Sequence, residues 1–177
     1  MYKITKEFHF SSGHRVHCQK LNGVLSEGAD TACKFVHGHN YIATVNVESK
    51  KLHNHMVLDF KNLSFIKTFV DDYLDHKFII DINDPIFNRM VGNVNLIPTE
   101  FMGVKIGSVI DLGVSENEER EYLQSFFVVD FVPTSENLVV YLQNIVSKII
   151  NNEINELNLK VSFSLSETPK TSATYYG

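Results

Sequence analysis

His39-Asn40-Tyr41-Ile42-Ala43-Thr44-Val45-Asn46-Val47-Glu48-Ser49, residues 39–49, is the stretch whose reading decides the fold. Tyr41, Ala43, Val45 and Val47 share one face, and Ile42, Thr44, Asn46 and Glu48 share the other, which is the alternation of a half-buried antiparallel strand. Just before it stands His37-Gly38-His39. Alternate residues of an extended chain point to the same side, so two imidazoles can stand side by side across a single glycine, a metal-ligand spacing. Upstream, residues 2–12 read as a strand with Phe8 and Phe10 on one face and His9 and Ser11 on the other, followed directly by Gly13-His14. These two strands are expected to pair as neighbours. Residues 17–35, punctuated by Gly23, Ser26, Gly28 and Asp30, read as a loop or loose hairpin that carries Cys33 toward the histidines.

Downstream, Asp59 stands where a helix N-cap would, and Leu63, Ile66, Val70 and Tyr73 recur at helical spacing up to Leu74, so a helix is expected to end at Asp75-His76. A second helix starts after Pro133 with Thr134 or Ser135 as cap and Leu138, Leu142, Ile145, Ile149 and Ile150 as its apolar stripe. Residues 159–166 alternate as a strand, and Thr171 to Tyr176 suggests one more after the turn at Pro169. Strand, strand, helix, helix, strand, strand indicates an α+β fold. The stretch from Asp81 to Asp130 fits this plan least well. It carries Gly92, Gly103, Gly107 and Gly113, short apolar runs that allow some short strands, and an acidic stretch from Glu116 to Glu121 read as solvated surface. We read it as an elaboration within one domain spanning residues 1–177.

Composition narrows the function classes. The chain has 177 residues, 44% hydrophobic and 21% charged, which suits one globular domain with ample core. A formal net charge of −5 with no long Lys/Arg run argues against a nucleic-acid surface, which needs clustered cations. The first seven residues lack a signal peptide's apolar run, and no stretch approaches the roughly 18 apolar residues of a membrane span, so a soluble, cytoplasmic protein is expected. Cys18 and Cys33 are read as thiols in a reducing compartment.

Three histidines, His14, His37 and His39, together with a water or substrate atom would complete a tetrahedral zinc site of the catalytic kind. His9, His17, His53 and His55 have no comparable frame and are read as solvated. Cys33 is compatible with three roles: a small buried hydrophobe, a fourth ligand closing the metal site, or a general base beside a cationic centre. Asp75-His76 reads by itself as a helix C-terminal cap without chemistry, where the dipole favours a cationic histidine. Glu136 and Glu167 have plain readings as a first-turn helix acid and a strand-end surface charge.

Six segments in order nevertheless resemble one family, that of 6-pyruvoyltetrahydropterin synthase and the queuosine-pathway 6-carboxytetrahydropterin synthase. They are Phe8 to Arg15, Cys33 to Tyr41, Leu58-Asp59-Phe60, Leu74-Asp75-His76, Pro133 to Asn137 and Ser166 to Pro169, and they span nearly the whole chain. The resemblance implies a tunnelling fold, with a four-stranded antiparallel sheet packed against two helices on one face and subunits closed into an oligomeric barrel, typically a homohexamer of two trimers. It implies Zn2+ held by His14, His37 and His39, Cys33 as general base, and Asp75 and His76 as a proton-relay pair. It implies Glu167 as anchor for the pterin's amino-pyrimidine edge, and Thr134, Ser135 and Glu136 as lining of the pterin pocket. Active sites of this family lie between subunits, so a neighbour can complete the set. The expected substrate is dihydroneopterin triphosphate, with Arg15, Lys34 and Lys77 as triphosphate contacts by position.

Within the family, five residues lie between the cysteine and the His-Gly-His in the animal pyruvoyl enzymes, and three in the carboxy enzymes. Here Lys34, Phe35 and Val36 make three, which favours 6-carboxytetrahydropterin synthase, releasing acetaldehyde and triphosphate. A branch with glutamate in place of the cysteine is disfavoured by Cys33. The Asp81–Asp130 segment is longer than the family's usual connection, and Val132 stands where the family often has asparagine.

Overall fold

The computed structural model describes residues 1–21, 31–113 and 118–177, with the side chain at 118 outside the description. The loop glycines Gly23 and Gly28, with Ser26 and Asp30, and the start of the acidic stretch at Glu116 therefore lie outside the described residues; Glu119 and Glu121 are exposed as expected.

β1 (Tyr2–His14) and β2 (His37–Ser49) pair antiparallel over their whole length, with Tyr2 opposite Ser49 and His14 opposite His37. Both are longer than their alternation suggests, because β1 runs on through Gly13 to His14 and β2 begins at His37. Asp59 caps as expected, its Oδ1 accepting from Lys61 N at 2.8 Å, but the helix it opens is a 3-10 turn over Phe60–Leu63. α1 follows at Ser64–Tyr73 and buries Ile66, Phe69 and Val70.

β3 (Lys77–Asp81), α2 (Phe87–Val91), β4 (Leu96–Phe101), β5 (Val104–Ile110), α3 (Glu118–Gln124) and β6 (Phe126–Val129) come next. α4 (Ser135–Glu153) is the longest helix, and Thr134 is its cap, Oγ1 accepting from Asn137 N. β7 (Lys160–Thr168) and β8 (Thr171–Tyr175) close the chain.

The expected four antiparallel strands are present as neighbours, but they are half of a larger sheet. Its order is β4-β5-β6-β3-β1-β2-β7-β8, and it is mixed, since β3 runs parallel to both β1 and β6. Lys77-Phe78-Ile79-Ile80-Asp81 and Phe126-Phe127-Val128-Val129 escape a period-2 reading for a physical reason: they are covered on both faces and need no polar alternation. Ile79, Phe127 and Val129 join the main core, under α1 and α4. Ile80, Phe126 and Val128 join a second core on the opposite face, with Phe87 and Val91 of α2 and Leu123 of α3. Two long helices thus share one face of the sheet, and the segment read as an elaboration supplies three strands plus two short helices for the other.

Candidate metal and substrate site

The site begins at the β1–β2 register. His14 faces the helix side with Phe8, Phe10 and Ser12, and its cross-strand partner His37 and the next same-face residue His39 stand beside it. Ring centroids are 4.5 Å apart for His14–His37, 5.3 Å for His14–His39 and 5.0 Å for His37–His39. One nitrogen from each ring falls within 4.8 Å of the other two, a group able to hold a metal ion.

The backbone determines which nitrogen is offered. His14 Nδ1 lies 2.5 Å from Pro133 O, and His37 Nδ1 lies 2.8 Å from Phe35 O. A carbonyl only accepts, so each Nδ1 carries the proton and each Nε2 keeps its lone pair, the outer arrangement that orients metal-binding histidines. Burial is the largest cause holding both His14 and His39 below the ordinary histidine pKa of 6.5, so both favour the neutral, ligating form. His14 Nε2 is buried with no hydrogen-bond partner. A buried lone pair left unsatisfied costs free energy unless something binds it. The donor set therefore fits a metal ion.

Glu167, on β7, reaches the same cluster. Its Oε1 is 3.3 Å from His14 Nε2 and 3.5 Å from His39 Nε2, and it accepts from the Tyr41 hydroxyl at 3.4 Å. Tyr41 is 1% exposed and stacked on Phe10, and burial, with Glu167 as the next cause, pushes its phenol far above its usual pKa, so it stays a hydrogen donor.

A cavity of about 320 Å³ opens beside this cluster, lined by His14, Cys33, Thr134, Ser135, Glu136 and Glu167 together with Val16, Gln19, Thr171, Ser172 and Ala173. Six residues singled out in the sequence, from four separated segments, thus meet around one space. Cys33 sits on a three-residue 3-10 turn, Ala32–Lys34, and Val16 N donates to its carbonyl at 2.7 Å. A larger cavity of about 490 Å³, between β5, β6 and α4 and lined by Lys105, Asp130 and Tyr141, includes none of these residues; chemistry, not volume, marks the site.

Asp75 and His76 do not join this cluster within the chain. Asp75 Oδ1 accepts from Ser11 N at 2.8 Å and Oδ2 lies 2.9 Å from His76 Nδ1, at the β1 edge where β3 begins. The Ser11 N–H is the main reason the Asp75 carboxyl is held below its usual range. The His76 side chain is 85% exposed. Two expected triphosphate contacts are engaged elsewhere: Arg15 Nε lies 3.2 Å from buried Asp84, and Lys77 Nζ donates to Gln124 O.

Sequence reasoning missed Tyr41, Gln19, the Thr171–Ala173 wall and the Pro133 and Phe35 carbonyls. Tyr41 alone had a signal, since it stands two residues beyond His39 on the same strand face. The others come from backbone or from segments whose approach the linear pattern does not encode.

A mixed sheet bearing three clustered imidazoles able to hold a metal ion, beside a pocket of acid, thiol and hydroxyl groups, has the make-up of an enzyme site. The chain belongs to the 6-pyruvoyl tetrahydropterin synthase family, whose model matches residues 3–177. It is 33% identical over 112 residues to the 6-carboxy-5,6,7,8-tetrahydropterin synthase of Aquifex aeolicus, covering 56% of this chain and 69% of that one. The protein of the same name from Rickettsia conorii is 27% identical over 176 residues, 96% of each chain. An uncharacterized protein from Wolinella succinogenes superposes with a TM-score of 0.87 at 37% identity, covering 99% of this chain and 98% of the other. The fold is also shared with the 6-pyruvoyl tetrahydropterin synthase of Plasmodium vivax, at a TM-score of 0.61 and 17% identity over 98% and 96% of the chains.

Proposed function

We propose that this protein is a zinc-dependent lyase that converts 7,8-dihydroneopterin triphosphate, with water, to 6-carboxy-5,6,7,8-tetrahydropterin, acetaldehyde and triphosphate. The observation that supports it most is the meeting of His14, Cys33, Thr134, Ser135, Glu136 and Glu167 around one cavity. Family membership and the names of the Aquifex and Rickettsia relatives point the same way.

His14, His37 and His39 would hold Zn2+, offering Nε2 from the two rings whose Nδ1 is engaged by a carbonyl. When bound, the ion would supply Lewis acidity, lowering the pKa of hydroxyl and adjacent C–H groups of the substrate side chain. Glu167 accepts two hydrogen bonds from the pterin's ring N–H and amino group, which holds the side chain against the imidazole cluster. Tyr41 holds that carboxylate from behind. Thr134, Ser135 and Glu136, at the start of α4, line the pterin's other edge. Cys33 removes a proton as general base within the cavity. Asp75 and His76, turned away from their own chain's cluster, serve as the proton relay of a neighbouring subunit's site in a trimer-based homohexamer. The reaction takes place in the cytoplasm.

The interval of three residues between Cys33 and His37 favours the carboxy product over the pyruvoyl one. Mass spectrometry of the product formed by purified, zinc-loaded protein tests this. 6-Carboxytetrahydropterin with stoichiometric acetaldehyde is expected; 6-pyruvoyltetrahydropterin would assign the other lyase activity, and binding without turnover would make the protein a pterin or zinc binder.

A further inference from the structure

Between His14 and Gln19 the chain alternates its partners. His14, Val16 and Gln19 line the cavity with Cys33. Arg15 and His17 turn the other way, Arg15 Nε to 3.2 Å from Asp84 Oδ2 and His17 Nε2 to 3.1 Å from Asp81 Oδ2. Both aspartates are 4% exposed. The turn after β3 holds each from behind: Asp81 Oδ1 accepts from Asn83 N and Nδ2, Asp84 Oδ1 accepts from Ile86 N, and Asp84 N donates to Asp81 O. Arg15 Nε and Asp84 Oδ2 are buried and make no hydrogen bond, so their contact is one of charge alone. Buried charge is costly to keep, and here it stands directly behind a wall of the site.

Cys33 has little anchorage of its own. Its 3-10 turn buries no residue and has no side-chain cap. Among the described residues, the bond from Val16 N to Cys33 O ties the cysteine itself to the end of β1, and Val16 is flanked on both sides by the residues the aspartates hold.

We infer that Asp81 and Asp84 are positioning residues for Cys33. By holding His17 and Arg15 they fix Val16, and through the Val16–Cys33 backbone bond they fix where the thiol stands in the cavity. The inference rests on the reading of Cys33 as the base of this site. A displacement of about 1 Å at a reacting group can cost on the order of 100-fold in rate, so a charge pair remote from the substrate can govern turnover.

The test uses zinc-loaded Asp84→Asn and Asp81→Asn, each made in a Cys18→Ser background so that iodoacetamide reports on Cys33. The expected result is a fall in kcat of about ten- to 100-fold with KM and metal content held, and a Cys33 alkylation rate changed severalfold with an altered pH profile. Unchanged alkylation, or activity lost only in proportion to folded protein by circular dichroism, overturns it. Should Asp84→Asn fail to fold, Asp81→Asn and His17→Gln carry the same expectation through the other pair. If the parent protein turns over no pterin, the functional reading fails by itself, and the alkylation profile still decides the positioning role.

Discussion

His14 and His37 are direct cross-strand partners at the end of the β1–β2 pair, with ring centroids 4.5 Å apart and each Nδ1 held by a backbone carbonyl from a different segment. A hydrophobic strand pair thereby ends in a group able to hold a metal ion, with the His14 and His37 rings oriented by the backbone alone. Loss of an outer-shell partner typically costs about 10–100-fold in metal affinity, so removing a ligand should cost more. His14→Ala and His37→Ala are expected to copurify with less than a tenth of the parent's zinc, read by atomic emission, while Cys33→Ala keeps its zinc and loses turnover. Loss of zinc from Cys33→Ala would make Cys33 a ligand.

Burial holds His14 and His39 below the ordinary histidine value of 6.5, which sets the sign of a pH effect in metal-free protein. The unfolded chain takes up protons on both residues near 6.5, whereas the folded chain does so only at lower pH. Stability should be flat above that value and fall as the pH drops toward the depressed folded values, by at most about 1.4 kcal/mol per pH unit for each histidine. Urea midpoints between about pH 5 and 8 check this. A midpoint that rises on acidification contradicts it.

A methyl group added at Gly38 would stand 3.0 Å from Ser12 O and 3.5 Å from Gly13 Cα. Both atoms are backbone of the facing strand, so the strands must part at the level of His14 and His37. Gly38→Ala is expected to cost about 1–3 kcal/mol of stability, as overpacking does. Its larger effect should be on zinc affinity, measured by competition with a chromophoric chelator. Wild-type affinity would mean the strands accommodate the methyl elsewhere.

His76 adopts a left-handed backbone conformation, φ 57°, and its N–H donates to Ser11 O at 2.7 Å. That conformation costs a non-glycine residue about 1–2 kcal/mol, and glycine adopts it without the Cβ clash. His76→Gly should therefore fold at least as stably as the parent by thermal melting. If His76 relays protons, turnover should nevertheless fall by about 100- to 10,000-fold. Retained turnover removes His76 from the mechanism.

The strands at residues 39–49 and 2–12, the Thr134 cap and the histidine cluster were legible because each rests on local periodicity or spacing. The strands at 77–81 and 126–129 were not, because burial on both faces erases the alternation by which strands are recognised. Arg15 read as a triphosphate contact by position and is paired with Asp84, nearly seventy positions away. Asp75 and His76 read as a helix end, and the hydrogen bond from Ser11 N to Asp75 fixes the pair at the β1 edge, apart from their own chain's imidazole cluster.

By itself the sequence determined which residues share a strand face, and so that His37 and His39 would stand together with a thiol four residues before His37. It also determined the family, because six short segments keep their order across the chain. Only the tertiary structure decided that His14 faces His37, that Glu167 and Tyr41 close on the same imidazoles, and that Arg15 and His17 are held by Asp84 and Asp81 behind the site. Side-chain direction along a strand follows from a local period of two. Which strands and turns come together follows from burying both faces of an eight-stranded sheet, a condition that no local window contains.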